Sequence, residues 1–146
     1  MIMLYTIGFT KKSAKKFFDL LKKNKVRKII DTRLKSESQL SGFAKGTDLK
    51  YFAKEFFNID YIHRLDFAPT KEILNSYRKK EITWDEYTIQ YLKLLENRKL
   101  DGKISFRDLN NSCLLCSEEK PDKCHRKLLA EFIKQKYPDI KIIHLI

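Results

Sequence analysis

The sequence predicts an α/β fold: a single domain with a mostly parallel, Rossmann-like sheet of about five strands and helices on both faces. Short apolar segments alternate with amphipathic helical segments from one end of the chain to the other, which is the pattern of repeated βαβ units. The strand segments are continuously apolar, as expected for strands that are covered on both faces. No repeat, linker or low-complexity tract interrupts the 146 residues, so residues 1–146 are assigned to one domain.

Five short apolar runs are predicted to be strands, and they cover residues 3–7, 26–31, 59–65, 113–117 and 140–146. Residues 34–46 are polar and contain two glycines, which predicts a long loop of the kind that often serves function. Residues 104–109 fit either a small extra strand or a helical turn.

Helices are predicted between these strands from apolar residues at helical spacing and from capping residues. Thr10 or Ser13 is expected to cap the first helix, and Thr47 or Asp48 the second. A third helix begins at residues 69–70, and residues 123–137 form the last. Thr83 with Glu86 makes a capping box for the fourth helix. One stripe of this helix consists of Trp84, Tyr87, Thr88, Tyr91, Leu94 and Leu95. Because this spacing fits one buried helix face, we expect the aromatic residues to pack in the core and not to stack on bases.

The chain carries a formal net charge of +12. Much of the excess lies in residues 1–28, where Asp19 is the only acid beside nine basic residues: Lys11, Lys12, Lys15, Lys16, Lys22, Lys23, Lys25, Arg27 and Lys28. Such a surface suits nucleic acid, a phosphorylated small molecule, or simply a solvated helix face. All three readings stay open at this point.

Localisation is expected to be cytoplasmic. No apolar run approaches the roughly 20 residues of a membrane span, so no membrane partner is expected. The N-terminus lacks the charged leader and cleavage site of a secretory signal. Three cysteines, an odd number, argue against a secreted disulfide framework.

Polar residues collect at the predicted carboxyl ends of the strands, the edge where open parallel sheets bind their ligands. These residues come from four separate segments: Gly8, Thr10, Asp31, Arg33, Asp66, Cys116, Glu118, Cys124, His125 and Arg126. Their convergence predicts a site at this edge. We expect no cofactor there.

Cys124 is the first candidate for a reactive thiol. With Asp122 as N-cap, Cys124 lies in the first turn of the last helix, where the positive helix end favours a thiolate. His125 and Arg126 would lower its pKa further, and Arg126 and Arg33 could bind an anion. Cys116 faces the same loop, and Glu118 could act as a base or orient His125. In the structural alternative, Cys116 is a small core residue and Arg126 braces Glu118 or Asp31.

Other readings of the cysteines fit less well. Cys113, Cys116, Cys124 and His125 are four zinc-ligand types, but residues 113 and 116 of a strand point to opposite faces. Adjacent Cys124 and His125 are also not expected to converge on one ion, so no metal is expected and Cys113 is assigned to the core. A redox pair of Cys116 with Cys124 is more plausible, since a strand end and a helix start can approach to the Cα spacing of a disulfide. Only four glycines are present, without a GxGxxG or Walker loop.

The motifs resemble the family known as domain of unknown function 488 over nearly the whole chain. Residues 5–10 (Tyr-Thr-Ile-Gly-Phe-Thr) resemble its opening segment, and residues 30–33 (Ile-Asp-Thr-Arg) its Val-Asp-Val-Arg segment. The most specific match is residues 114–118 (Leu-Leu-Cys-Ser-Glu) together with residues 124–126 (Cys-His-Arg). Residues 68–72 look like a variant subgroup, and Phe9 stands where the family commonly has His. The resemblance implies an α/β fold and functional roles for Cys116 and Cys124, but it supplies no reaction.

The sequence thus favours an enzyme that acts on an anionic, phosphorylated or nucleotide-like substrate. Cys124, Cys116, Glu118 and His125 would be its catalytic groups. Its binding groups would be Arg126, Arg33, Asp31, Gly8 and Thr10. The alternatives are a nucleic-acid-binding module that uses the lysine-rich first helix and a thiol redox protein that uses Cys116 and Cys124. Histidines 63 and 144, within strand segments, are expected to be structural.

Overall fold

The computed structural model describes residues 1–105 and 107–146, which form a single domain around a five-stranded sheet. The strands are β1 (Ile2–Gly8), β2 (Lys28–Asp31), β3 (Asp60–His63), β4 (Ser112–Cys116) and β5 (Ile140–Leu145). Their order is β3-β2-β4-β1-β5, and each neighbouring pair is parallel. The α/β prediction is confirmed.

Helices cover both faces of the sheet. They are α1 (Ala14–Lys23), α2 (Gly46–Phe57), α3 (Lys71–Arg78), α4 (Trp84–Asn97) and α5 (His125–Lys136). One apolar layer joins the sheet to α1 and α2, and the other joins it to α4 and α5, with α3 at its margin. Because side chains alternate along a strand, Cys113 and Leu115 of β4 pack in the first layer and Leu114 in the second.

Side-chain caps mark the starts of α1, α3 and α4, but not those of α2 and α5. The Ser13 hydroxyl accepts a hydrogen bond from the Lys16 amide and caps α1. The expected caps of α2 are wrong, because this helix begins at Gly46, and Lys45 is its N-cap without a side-chain hydrogen bond. At the first residue of the helix, the Gly46 amide donates instead to the Ser36 carbonyl at 2.6 Å.

Two loop expectations are refined. The predicted loop 34–46 contains a 3₁₀ helix, Gln39–Ala44, with Gly42 at a φ of 56°. In the ambiguous segment 104–109 the structure has a 3₁₀ turn, Arg107–Leu109. Phe106, which belongs to that segment, lies outside the described residues.

The crevice between β2 and β4 is where a ligand is expected. β4 lies at the centre of the sheet and pairs with β1 and β2. The chain leaves β2 towards α2 on one face and leaves β4 towards α5 on the other. In open parallel sheets, ligands bind outside the carboxyl ends of such diverging strands. None of the helices in the described ranges is long and apolar enough to cross a membrane.

The two strand histidines bond within the fold, as expected for structural residues. His144 Nδ1 lies 2.6 Å from the Thr6 hydroxyl of the neighbouring strand β1. His63 Nε2 lies 2.6 Å from the Arg33 carbonyl oxygen. The first bond links β5 to β1, and the second links β3 to the segment that follows β2.

The capping box of α4 gives a test of the local rules. The Thr83 hydroxyl accepts from the Glu86 amide at 3.1 Å, and the Glu86 carboxylate accepts from the Thr83 amide at 3.1 Å. Thr83→Ala should therefore lower the free energy of unfolding by about 1 kcal/mol in urea denaturation.

Thr47→Ala is the matched control. Its exposed hydroxyl donates to the Glu37 carboxylate and caps no helix, so its loss should be within about 0.5 kcal/mol. Equal losses in the two variants would contradict a special role for the Thr83 cap.

Candidate active site

A cavity of about 220 Å³ opens where β2 and β4 end. Three buried residues line its inner end: Cys116 at the end of β4, and Cys124 and His125 at the start of α5. An aromatic wall comes from α3 and α4 and consists of Tyr77, Trp84 and Tyr87. The Trp84 and Tyr87 rings are stacked with centroids 4.9 Å apart.

Thr32, the residue after β2, orients the His125 ring. His125 Nε2 lies 2.8 Å from the Thr32 carbonyl oxygen and 3.0 Å from the Thr32 hydroxyl oxygen. A carbonyl only accepts, and the Thr32 hydroxyl already donates its hydrogen to the Leu115 carbonyl at 2.8 Å. Nε2 must therefore carry the hydrogen and donate to Thr32. That assignment leaves Nδ1 directed at Cys116.

Cys116 and His125 form a proton-sharing pair. The Cys116 Sγ lies 3.5 Å from His125 Nδ1. Burial alone would raise the pKa of Cys116, but a hydrogen bond from Cys124 and the adjacent His125 hold it well below its ordinary value. Burial likewise lowers the pKa of His125, yet the charge of Cys116 and the hydrogen bond to it raise that pKa overall. Both shifts favour transfer of the proton from the Cys116 thiol to the His125 imidazole, which would give a thiolate beside an imidazolium.

Cys124 has the opposite character. It is itself the N-cap of α5, with an extended backbone (φ −135°, ψ 139°), so the expected cap at Asp122 is wrong. A turn precedes it, since the Cys124 amide donates to the Pro121 carbonyl at 3.2 Å. Burial, the hydrogen bond to Cys116 and the charge of Cys116 raise the pKa of Cys124 well above its ordinary value. The structure therefore favours Cys116 as the thiolate, whereas the sequence favoured Cys124.

The same three residues could hold a thiophilic metal ion. The Cys116 and Cys124 sulfurs and a His125 ring nitrogen all lie within 4.8 Å of one another. The expectation that Cys124 and His125 would not converge is therefore wrong, because His125 begins the helix and Cys124 is still extended. An ion here would occupy the sulfur that the cavity offers to a substrate. Cys113 packs on the other face of the sheet, as expected.

Arg126 braces the loop that carries the site. Its side chain is completely buried, and it donates to the Glu118 carbonyl at 2.5 Å and the Glu119 carbonyl at 3.2 Å. It also donates to the Thr6 hydroxyl at 3.3 Å. Arg126 does not line the cavity. The structure thus gives it the bracing task of the structural alternative, through backbone oxygens rather than a carboxylate.

Asp31 and Arg33 form a buried ion pair beside the cavity. Two oxygens of Asp31 accept from Nε and Nη2 of Arg33 at 2.9 and 2.7 Å. The Tyr61 hydroxyl also donates to Asp31 at 2.5 Å. Arg33 lines the cavity, and its Nη1 is buried without a hydrogen-bond partner in the described part of the chain. Asp31 thus positions Arg33 beside the cavity.

The cavity carries an excess of positive charge. Five basic side chains line it, namely Arg33, Lys35, Lys71, Arg78 and Lys123. Glu118 is the one acid among the described lining residues, and it is exposed. Even after Asp31 neutralises Arg33, the cavity favours an anion.

Several predicted site residues have other tasks. Gly8 and Thr10 do not line the cavity: a Cβ at Gly8 would lie 1.5 Å from the Glu118 carbonyl oxygen, and the Thr10 amide donates to the Ser117 carbonyl. Asp66, also expected at the rim, pairs with Arg64. Thr32 and not Glu118 contacts the His125 ring.

Sequence reasoning missed three parts of the site. Thr32 could have been noticed, because it lies between two residues that were singled out at the end of β2. The basic residues of α3, Lys71 and Arg78, gave no signal that separates them from other surface charges. Trp84 and Tyr87 fitted a core stripe and do pack in the core, but they also line the cavity.

The fold and site together define a parallel α/β protein with a buried cysteine–histidine pair in a cationic cleft at the carboxyl edge of its sheet. Comparison with protein families matches residues 13–133 to the family described as "Domain of unknown function DUF488", and the chain belongs to that family. The resemblance to this family is confirmed over residues 13–133, a range that does not include the opening segment 5–10. Neither the comparison with curated proteins nor the one with solved structures found a match.

The close approach at Gly8 predicts a large cost for any side chain there. A Cβ would meet the Glu118 carbonyl oxygen at 1.5 Å and Arg126 Nη1 at 2.9 Å. Gly8→Ala should displace the loop and lower the free energy of unfolding by about 1–3 kcal/mol, the usual cost of overpacking. Urea denaturation measures it.

Gly102→Ala is the matched control, because a Cβ there has no neighbour within 4 Å among the described residues. Its effect should stay within about 0.5 kcal/mol. If Gly8→Ala were as mild as Gly102→Ala, the loop would not be held against β1 as described.

Proposed function

We propose that this protein is a cytoplasmic enzyme that uses Cys116 as a nucleophile on a small anionic substrate. The observation that carries the proposal is the chain of contacts from Cys116 Sγ to His125 Nδ1, and from His125 Nε2 to Thr32, at the inner end of a cationic cavity. A nucleophile, a base and a group that orients the base are the parts that covalent thiol catalysis needs.

Each residue then has a chemical task. The Cys116 thiolate attacks the substrate, and the His125 imidazolium returns the proton to the leaving group. Thr32 holds the ring in the tautomer that this transfer requires. The unpartnered Nη1 of Arg33 donates to an anionic group of the substrate, and exposed Glu118 stands at the mouth of the cavity.

The cavity walls suit a phosphorylated or nucleotide-like compound. Lys71 and Arg78 supply positive charge to the lining, and Trp84 with Tyr77 supplies an aromatic surface on which a ring can stack. A volume of about 220 Å³ is below the range of roughly 300–1,000 Å³ typical of drug-sized ligands. The substrate, or the part of it that enters, is therefore small.

The lysine-rich first helix gives less support to the nucleic-acid alternative. Lys12 is 8% exposed, Lys15 pairs with Asp19, and Lys11 pairs with Glu119. These pairings reduce the charge available for a phosphate backbone. We therefore keep the thiol enzyme as the proposal.

Alkylation against pH tests the Cys116–His125 pair. With iodoacetamide, Cys116 should react with a midpoint well below the value of about 8.5 of an ordinary cysteine, because its thiolate persists at lower pH. His125→Asn removes the cation that stabilises the thiolate, so the midpoint should move upward. Mass spectrometry of each cysteine gives the rates.

Cys113→Ser is the control for this experiment. Burial raises the pKa of Cys113, which packs on the opposite face of the sheet, so the Cys116 profile should not change. Preferential labelling of Cys124 at neutral pH, or an unaltered profile in His125→Asn, would refute the assignment of Cys116.

The charge of the cavity predicts selectivity between reagents. Iodoacetate is anionic and iodoacetamide is neutral, so the cavity should raise the rate ratio of the first to the second at Cys116. Replacing Lys71 and Arg78 by Gln should lower that ratio several-fold at low salt, and added salt should lower it in the wild type.

The matched control removes the same number of charges from α1, at exposed Lys22 and Lys23. That variant should keep the wild-type ratio. An equal fall in both variants would mean that overall charge, rather than this cavity, selects the reagent.

A further inference from the structure

Cys124 has no task in the nucleophilic role just described, although it lies beside the nucleophile. Its side chain is 3% exposed and that of Cys116 is 5% exposed, and both line the cavity. Their sulfurs lie within 4.8 Å of each other. The Cys124 sulfur is therefore close enough to reach the sulfur that meets the substrate once a side chain rotates.

We propose that Cys116 and Cys124 act as an attacking and a resolving thiol in the reduction of small anionic disulfides. The inference rests on the proposed function, since it requires Cys116 as nucleophile. It adds the substrate class and the task of the second cysteine. The spent pair would be restored by a dithiol reductant.

The chemistry balances in two exchanges. The Cys116 thiolate attacks one sulfur of a disulfide R–S–S–R, which forms Cys116–S–S–R and releases one RS⁻ that takes a proton from His125. Cys124 then passes its proton to the neutral His125 and attacks the Cys116 sulfur, which forms the Cys116–Cys124 disulfide and releases the second RS⁻. The substrate gains two electrons and the protein loses two.

The order of the two exchanges follows from the positions of the three groups. Cys124 has no disulfide sulfur to attack until Cys116 carries the mixed disulfide, and both sulfurs line one cavity within 4.8 Å of each other. The His125 ring nitrogen lies within the same distance and has given up its proton in the first exchange, so it can take the proton of Cys124.

The side chain of Cys124 can make the movement that disulfide formation requires. A disulfide needs its sulfurs at about 2.05 Å, so the two side chains must approach. Cys124 is the N-cap of α5 but makes no side-chain capping hydrogen bond, so its side chain can rotate without loss of a helix cap. Cys113 cannot take this part, because it packs in the opposite layer.

The basic residues that line the cavity favour a disulfide with negative charge. Lys71, Arg78, Lys123 and Arg33 line the cavity together with the two cysteines. A disulfide that carries carboxylates matches this lining, whereas a disulfide that carries amines is repelled.

The test uses dithiobis(nitrobenzoate), an aromatic disulfide with two carboxylates, on the native full-length protein. The wild type should release two equivalents of thionitrobenzoate per chain and retain no adduct, and mass spectrometry should find a Cys116–Cys124 bridge that dithiothreitol reverses. Cys124→Ser should release one equivalent and keep the adduct on Cys116. Cys116→Ser should show no fast release, with circular dichroism as the check that it is folded.

The outcomes separate this inference from the proposed function. No fast release from the native wild type would overturn both. A single equivalent with a stable adduct on Cys116, or two adducts without a bridge, would leave Cys116 as a nucleophile but refute the resolving thiol.

Cystamine, a cationic disulfide, tests the substrate class. Each probe's rate is taken relative to its reaction with free glutathione, and the wild type should prefer the anionic probe several-fold. Lys71→Gln with Arg78→Gln should reduce that preference. No preference in the wild type would refute the anionic class.

Discussion

The rest of the site depends on the hydrogen bonds made by the buried guanidinium of Arg126. A cation removed from water must be satisfied by hydrogen bonds, or its burial costs several kcal/mol. Arg126 meets this requirement with the carbonyl oxygens of Glu118 and Glu119 and the hydroxyl of Thr6. The loop after β4 is thereby held against β1, where a glycine makes room for it. The separation of the two cavity cysteines follows from the path of this loop.

Three consecutive residues at the end of β2 make the other contacts that build the site. Asp31 clamps the guanidinium of Arg33, Thr32 fixes the His125 ring, and Arg33 reaches the cavity. The segment therefore supplies an orienting group and a binding group from adjacent positions. It connects β2 to the start of α5, so the site spans both strands of the central crevice.

The sequence was sufficient for the strands, the helices and the edge of the sheet where the candidate site lies, because apolar periodicity is local, although the predicted caps of α2 and α5 were wrong. It was insufficient for the tasks of single residues, because these depend on contacts distant in the chain. Gly8 and Glu118 are far apart in sequence, and only the folded loop shows that they touch. Likewise, an arginine beside two cysteines suggests an anion site, and only the loop path shows that Arg126 binds carbonyl oxygens. The assignment of the thiolate reversed for the same reason, since α5 begins one residue after Cys124.

The helix α3 has a consequence for access to the cavity. It supplies one wall, yet none of its side chains is fully buried, whereas every residue of β4 is buried. Segments with few buried contacts open at low free energy, and central strands exchange their amides only on global unfolding. Local opening of α3 is therefore expected to cost less free energy than exposure of β4. Entry to the cavity and the position of the Cys116 sulfur thus depend on elements of different stability.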